Sequence, residues 1–130
     1  MVKVEILNFN SPQDIWKQIY YWLLLKIVSG DFSKEEKFPA IREIALFLDT
    51  NRNTVNKSYK LLRQNGILTV RRGVGNFLTS DGVKKAKKIM VDKVKDSIRN
   101  SINEMKRMDL QKEDIERIFK VILEEQDECS

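Results

Sequence analysis

The sequence predicts a mainly α-helical chain with one small β-hairpin, and three observations support this fold class. Three amphipathic segments follow one another before residue 66. Two short apolar runs, joined by a glycine-containing turn, come next. A long segment at helical spacing then follows, with neither proline nor glycine after Gly82. The period of the apolar residues, about 3.6 in helices against about 2 in strands, is the basis of each assignment.

Three helices are predicted in the first part of the chain. The first begins at Ser11-Pro12, because serine is a good N-cap and proline suits the first turn, and it ends at Ser29-Gly30. The second begins at Pro39 and is broken by Asp49-Thr50-Asn51, and the third covers about residues 52–65. Four aromatic residues of this part are predicted to be core residues: Phe38, Phe47, Tyr59 and Phe77.

The two apolar runs, residues 67–70 and 76–79, predict a hairpin around the turn at 71–75. Three helices and a hairpin in this order form a winged helix-turn-helix, which we assign to residues 1–79. Residues 81–125 predict a long helix, a turn near Met108-Asp109 and a shorter helix. We therefore expect residues 80–130 to form a two-helix C-terminal tail.

The positive charge is concentrated in one segment. Residues 50–79 contain six lysines and arginines and no acidic residue, whereas residues 80–130 contain 12 basic and 12 acidic residues. A localised basic block indicates a polyanionic partner. A solvated basic face without a partner would have the same composition, so the charge alone leaves both interpretations open.

Composition argues against an enzyme and against a metal or other cofactor. The chain has no histidine, the commonest general base and metal ligand. Its one cysteine, Cys129, cannot form an internal disulfide, which agrees with a reducing compartment. No apolar run reaches about 18 residues, and the N-terminus lacks a signal-peptide pattern. We expect a cytoplasmic protein without a membrane partner.

The third predicted helix carries the candidate base-contacting residues. The second helix of a helix-turn-helix lies in the major groove, and its N-terminal residues contact base edges. Arginine suits guanine, asparagine suits adenine, and threonine offers a hydroxyl and a methyl group. Thr50 or Asn51 can also cap the helix, and we expect both roles in this turn, because a helix N-terminus attracts phosphate through its free amides. The candidates are Asn51, Arg52, Asn53, Thr54, Asn56 and Lys57.

Two further positions are candidates for DNA contact. Arg42, near the start of the second helix, could form a surface ion pair with Glu43 or Asp49, or contact the groove or a phosphate. The residues themselves favour neither role. At the hairpin tip, Arg71 and Arg72 precede Gly73, which allows close approach of the backbone to a groove.

Five separated motifs, in order, resemble the GntR family of bacterial regulators over about residues 12–79. They are Ser29-Gly30-Asp31-Phe32, Phe38-Pro39-Ala40-Ile41-Arg42-Glu43-Ile44-Ala45, Asn51-Arg52-Asn53-Thr54-Val55, Leu61-Leu62-Arg63-Gln64-Asn65-Gly66-Ile67-Leu68 and Arg71-Arg72-Gly73-Val74-Gly75-Asn76-Phe77. The resemblance implies that Arg42 contacts DNA. It also implies that Arg52, Asn53 and Thr54 contact bases, with Asn51 beside them, and that Gly73 enters the minor groove next to Arg72.

The sequence departs from the family pattern at two places. Asn56 stands where many relatives carry a second arginine or a serine, so the operator preference of relatives does not carry over. Lys34-Glu35-Glu36 stands where the family often has Pro-Gly, which changes a turn before the second helix.

The tail resembles that of the YtrA-like subfamily, in which a short two-helix segment is chiefly a dimerisation module. Its 51 residues are too few for the large ligand-binding domains of other members. Apolar residues recur at helical steps, and two such helices bury little apolar surface against each other. The predicted dimerisation residues are Met90, Val94, Ile98, Ile102, Met105, Ile115, Ile118, Phe119 and Ile122.

These observations predict a homodimeric transcription regulator that binds a pseudo-palindromic double-stranded DNA operator and represses transcription by blocking polymerase. Three alternatives stay open: a winged helix that binds RNA, a protein-interaction module, and a small-molecule sensor with a pocket between the tail and the wing or at the dimer interface. The sequence assigns no particular small-molecule effector.

Overall fold

The computed structural model describes residues 7–8, 14–32 and 37–129, and these residues form a mainly helical chain with one hairpin. The elements of this part of the chain are α1 (Ile15–Val28), α2 (Ile41–Leu48), α3 (Arg52–Gln64), β1 (Leu68–Arg71), β2 (Gly75–Leu78), α4 (Gly82–Arg107) and α5 (Lys112–Cys129). The predicted fold class is confirmed. The predicted helix start at Ser11-Pro12 lies outside the described residues.

Local backbone chemistry sets the ends of the first three helices. Helix α2 begins at Ile41, later than the predicted start at Pro39, because Ala40 is still extended. It ends at Asp49, whose φ of 52° lies in the left-handed region. Helix α1 ends before Ser29 and Gly30, as predicted. At these two C-terminal ends the turn amides donate to helix carbonyl oxygens, Ser29 to Leu25 at 2.9 Å and Thr50 to Ala45 at 2.9 Å, so both helices are well bounded.

The core of the winged helix lies between α1, α2 and α3. Its fully buried members include Leu23 and Ile27 of α1 and Val55 and Leu62 of α3. Apolar side chains at three- and four-residue steps form one stripe on each helix, so the three stripes meet in one core.

Tyr59 and Phe47, two of the four aromatic residues that were predicted to be core residues, lie in different environments. Tyr59 is fully buried and its hydroxyl donates to the Pro39 carbonyl oxygen at 2.6 Å. Burial raises the pKa of this hydroxyl well above its usual value, so it remains a donor. Phe47 was predicted as a core residue, and this was wrong. Phe47 is 40% exposed because it lies at the margin of the buried face of α2, where its ring stacks on Trp22 at 6.0 Å.

The hairpin packs beside α3 and extends the chain into a wing. Strands β1 and β2 are antiparallel, with Leu68 opposite Leu78 and Arg71 opposite Gly75. The segment before α2 joins this sheet edge, because the Phe38 amide donates to the Asn76 carbonyl oxygen at 2.8 Å. Both predicted strands are confirmed, each with bounds displaced by one residue.

The chain consists of two compact units, residues 1–91 and 92–130. The start of α4 belongs to the first unit, since Ala86 is fully buried in its core. Gly82 is required there, because a Cβ atom at this position would lie 2.7 Å from the Ile67 carbonyl oxygen. The predicted division of the chain at residues 79 and 80 falls just before α4.

The second unit contains the rest of α4, a turn and α5. Helix α4 ends at Arg107, and the chain turns at Asp109, whose φ of 60° lies in the left-handed region. The Asp114 carboxylate caps α5 by accepting a hydrogen bond from the Gln111 amide at 2.9 Å. Ile115 is buried. Seven large apolar residues of this unit, among those that the structure describes, remain 37–66% exposed: Val94, Ile98, Met108, Ile118, Val121, Ile122 and Leu123.

Candidate nucleic-acid interface

The N-terminus of α3 is the centre of the candidate interface. The Asn51 side chain accepts a hydrogen bond from the Asn53 amide at 2.7 Å, so Asn51 is the N-cap of this helix. Its capping oxygen is thereby occupied, whereas Arg52 and Asn53 remain exposed. The amide groups of such a first turn attract anions, so this helix end suits the vicinity of a phosphate.

Helix α3 has one buried and one exposed face. Val55, Ser58, Tyr59 and Leu62 form the buried face. The opposite face, which we call the outer face of α3, contains Asn53, Asn56, Lys57, Lys60 and Gln64. It contains no acidic residue, so amide groups that hydrogen-bond to bases and ammonium groups that attract phosphates share one surface.

The outer face of α3 adds two residues that the sequence analysis did not propose as contacts. Lys60 belongs to the basic block and Gln64 to one of the five motifs, but neither is among the predicted contact residues. Both lie on the exposed side because they follow Asn56 and Lys57 by three, four, seven or eight residues, and these spacings return to the same side of a helix. The same periodicity, applied to the exposed positions, would have identified them. Thr54, by contrast, is half-buried at the edge of this face.

Helix α2 brings Arg42 close to the start of α3. Arg42 and Arg52 line one open notch of about 390 Å³ between the two helices, together with Leu46, Asp49 and Thr50. Within the described ranges Arg42 forms no ion pair, so the suggested pairing with Glu43 or Asp49 is absent. The guanidinium groups of both arginines are therefore available to a ligand at this notch.

The wing has a fixed base and an exposed tip. At the base, the Arg71 guanidinium lies over the Phe77 ring, 3.9 Å from its centroid, and Arg63 donates to the Asn76 side chain at 3.3 Å. At the tip, Arg72 and Gly73 are exposed. Gly73 has a φ of 76°, which a residue with a Cβ atom adopts only with strain, and open space surrounds it.

The predicted dimerisation residues lie in different environments. Met90 is half-buried against the core of the first unit, and Ile115 is buried in the second. Ile102, Met105 and Phe119 are half-buried, whereas four others are exposed: Val94, Ile98, Ile118 and Ile122. An open groove of about 870 Å³ lies between the end of α4 and α5, and Ile102, Ile115 and Phe119 line it together with Leu110 and Leu123.

No group of three or more acidic, cysteine or histidine side chains in the described part of the chain is arranged to hold a metal ion. Likewise, none of the helices described combines the length and the apolar character that a bilayer crossing requires.

A three-helix core with a hairpin wing, and an acid-free outer face on its third helix, define a winged helix-turn-helix DNA-binding protein. The bacterial regulatory proteins of the gntR family match residues 16–78 of this chain. The chain belongs to this family and is a DNA-binding transcriptional regulator.

The similarity extends over most of the chain. A GntR family transcriptional regulator from Listeria monocytogenes superimposes with a TM-score of 0.73 at 30% identity, covering 86% of this chain and 97% of that one. The uncharacterized HTH-type transcriptional regulator YhcF of Bacillus subtilis is 29% identical over 83% of this chain and 88% of its own length. The HTH-type transcriptional repressor YtrA of the same organism is 32% identical over 55% of each chain. The YtrA-like resemblance is thus confirmed, and these homologues are regulators, not enzymes.

Proposed function

We propose that this regulator binds a pseudo-palindromic operator as a homodimer and represses transcription by excluding polymerase. The observation that carries the proposal is the outer face of α3. Asn53 and Asn56 can hydrogen-bond to base edges, while Lys57 and Lys60 lie on the same acid-free surface. Base contacts specify a site and phosphate contacts position the protein on it, so this face offers both kinds of contact.

The arginines beside α3 have distinct proposed roles. Arg52 lies in the first turn of the helix, where side chains meet the groove floor, and it contacts a guanine. Arg42 contributes to the choice of sequence from the other side of their shared notch. Asn51, Asn53 and Thr54 surround Arg52 and complete base recognition, while Lys57 contacts phosphates of the backbone.

The wing complements α3 from the adjacent minor groove. Gly73 at its tip allows the backbone to approach the groove. The neighbouring Arg72 enters the minor groove, whose negative potential attracts an arginine side chain. Arg71 contacts phosphate from the base of the wing. Its position over Phe77 favours this role, since a stacked guanidinium loses little conformational freedom on binding.

The tail joins two copies of the chain through its exposed apolar residues. Ile118 and Ile122 are one helical turn apart on α5, next to the groove that Ile102 and Phe119 line. Exposed apolar surface of this kind marks an interaction site. The charges of the two tail helices indicate that a second copy of the chain covers these apolar residues. Helix α4 has nine basic and three acidic residues, and α5 has three basic and seven acidic ones, so an α5 helix complements an α4 helix.

The test is selection of duplexes from a random DNA pool by the full chain. We expect an inverted repeat with half-site centres about 10 base pairs, or a multiple of this, apart, as a two-fold dimer with one helix per major groove requires. A selected duplex placed within a promoter should lower transcription in vitro. Recovery of no common sequence, or equal affinity for an RNA duplex of the same sequence, would contradict the proposal.

A further inference from the structure

We propose that Trp16 and Lys17 of α1, together with Lys57 of α3, form a second phosphate-binding cluster for the DNA backbone, beside the outer face of α3. The proposal rests on the DNA-binding function proposed above and extends it to a helix that the sequence analysis did not include in the interface. We call these three residues the Trp16 cluster.

A buried hydrogen bond fixes the place of the Trp16 cluster. The Ser58 hydroxyl donates to the Trp16 carbonyl oxygen at 2.6 Å, and Ser58 is fully buried. This bond ties the first turn of α1 to the middle of α3. Because a buried hydroxyl without its partner costs about 1–3 kcal/mol, this contact holds the two helices in one register. Trp16 and Lys17 are thereby held next to the outer face of α3.

Two ammonium groups lie over one indole ring. The Nζ atom of Lys57 is 5.1 Å from the centroid of the Trp16 ring, and that of Lys17 is 5.7 Å away. Both distances are within the range of a cation–π interaction, in which the face of the ring attracts a cation. The ring thus gathers two like charges, contributed by two different helices, into one place.

The positive charge of the Trp16 cluster is not neutralised within the described residues. Neither lysine forms an ion pair in these ranges, and both are exposed. Asp14, the acid nearest in sequence to Lys17, is exposed and forms no ion pair with either lysine. An approaching anion therefore meets two ammonium groups and no paired carboxylate.

The chemistry of the cluster favours phosphate over a base edge. Lysine is a compact point charge without the planar geometry that recognises a guanine, and phosphate oxygens accept most contacts of this kind. The half-buried Trp16 ring can pack on a deoxyribose. With the outer face of α3 in the major groove, the flank that carries Lys57 faces one of the bounding strands. We therefore assign the cluster to that strand.

The test compares the full chain with its Lys17→Gln variant on operator and scrambled duplexes at several salt concentrations. We expect affinity for both duplexes to fall by the same factor. The slope of log K against log salt should decrease by about 0.9 for each lost contact, hence by about 2 for a dimer. Lys17→Arg should retain the slope. Lys26→Gln, which removes another lysine of α1 whose charge is already paired with Asp31 at 3.2 Å, should leave affinity and slope unchanged.

A second measurement uses the two tryptophans of the chain. The Trp22→Phe variant leaves Trp16 as its one tryptophan, and a phenylalanine can still stack on Phe47. We expect scrambled duplex to change the Trp16 emission with the same midpoint as binding. An unaltered slope in Lys17→Gln and unaltered emission, in a chain that still binds duplex, would overturn the cluster and point to an acidic protein partner. A full chain that binds neither duplex would instead contradict the proposed function.

Discussion

The two units of this chain differ in how far their apolar side chains are buried. In the first unit, apolar side chains such as Leu23, Val55 and Leu62 are fully buried. In the second, Ile115 is buried, whereas Ile118, Val121, Ile122 and Leu123 stay largely exposed. A unit that buries its own core can present a polar surface to DNA. A unit that leaves this much apolar surface uncovered has the character of an interaction site, and we therefore assign the proposed pairing of two copies to it.

The largest effect should come from charges placed on the exposed face of α5. The double variant Ile118→Lys, Ile122→Lys should sediment as a monomer at micromolar concentration, because four lysines would meet at the interface of a dimer. Affinity for the operator should fall on the order of 10²–10⁴-fold, since the second half-site contact ceases to be intramolecular.

The matched control is Leu25→Lys, which changes a residue of α1 that is 54% exposed in the first unit. It should remain dimeric. If both variants sediment like the unmodified chain, the tail does not join the two copies.

A core substitution should have the next largest effect. Leu62→Ala removes a fully buried side chain of α3 and should lower the free energy of unfolding by about 2–5 kcal/mol, whatever the protein concentration. Leu123→Ala in the tail should cost less than about 1 kcal/mol under monomeric conditions and more at concentrations that favour the dimer. Denaturant unfolding at two protein concentrations measures both. Equal losses for the two variants would remove the contrast between the units.

Arg52→Ala should reduce specific binding by about 1–3 kcal/mol at each half-site and relax the preference at one base position. Lys57→Ala should instead weaken operator and scrambled duplex alike, because phosphates are present in both. Titrations with the two duplexes at several salt concentrations distinguish these results. If Arg52→Ala lowers both affinities by one factor, Arg52 contacts phosphate, and base recognition belongs to Asn51, Asn53 and Thr54.

The smallest effect should come from one hydroxyl. Ser58→Ala removes the bond to the Trp16 carbonyl oxygen and should lower the free energy of unfolding by about 1 kcal/mol, because the acceptor is left without its partner. In Ser101→Ala the lost bond runs to the Ser97 carbonyl oxygen on the exposed surface of α4, at 3.1 Å, where water can replace it. Thermal unfolding should be nearly unchanged for this control. The reverse order would show that the α1–α3 contact contributes little.

Local rules predicted the elements of this fold well. The stop at Ser29-Gly30, the cap at Asn51 and the turn around Gly73 each depend on a few adjacent residues, and all three are confirmed. The fold of α2 was predicted, but the environment of Phe47 was not. An eight-residue helix has few apolar positions, and whether an aromatic residue at its margin is covered depends on a neighbouring helix.

Features that depend on the register between helices were not predictable from the sequence. The Trp16 cluster exists because Ser58 fixes α1 against α3, a contact 42 residues apart in the chain. Likewise, the count of 12 basic and 12 acidic residues in the tail concealed a basic α4 and an acidic α5, because summing over two elements cancels their charges.

The most direct test of the account combines both units in one comparison. It measures the affinity of the full chain, and of the Ile118→Lys, Ile122→Lys variant, for the selected operator and for a duplex with one half-site scrambled. The full chain should lose on the order of 10²-fold or more when one half-site is scrambled, because a dimer then reads one site instead of two. The variant should bind both duplexes within about twofold, a statistical factor for two equivalent sites. Equal losses for the two proteins would contradict the assignment of DNA recognition to the first unit and of pairing to the second.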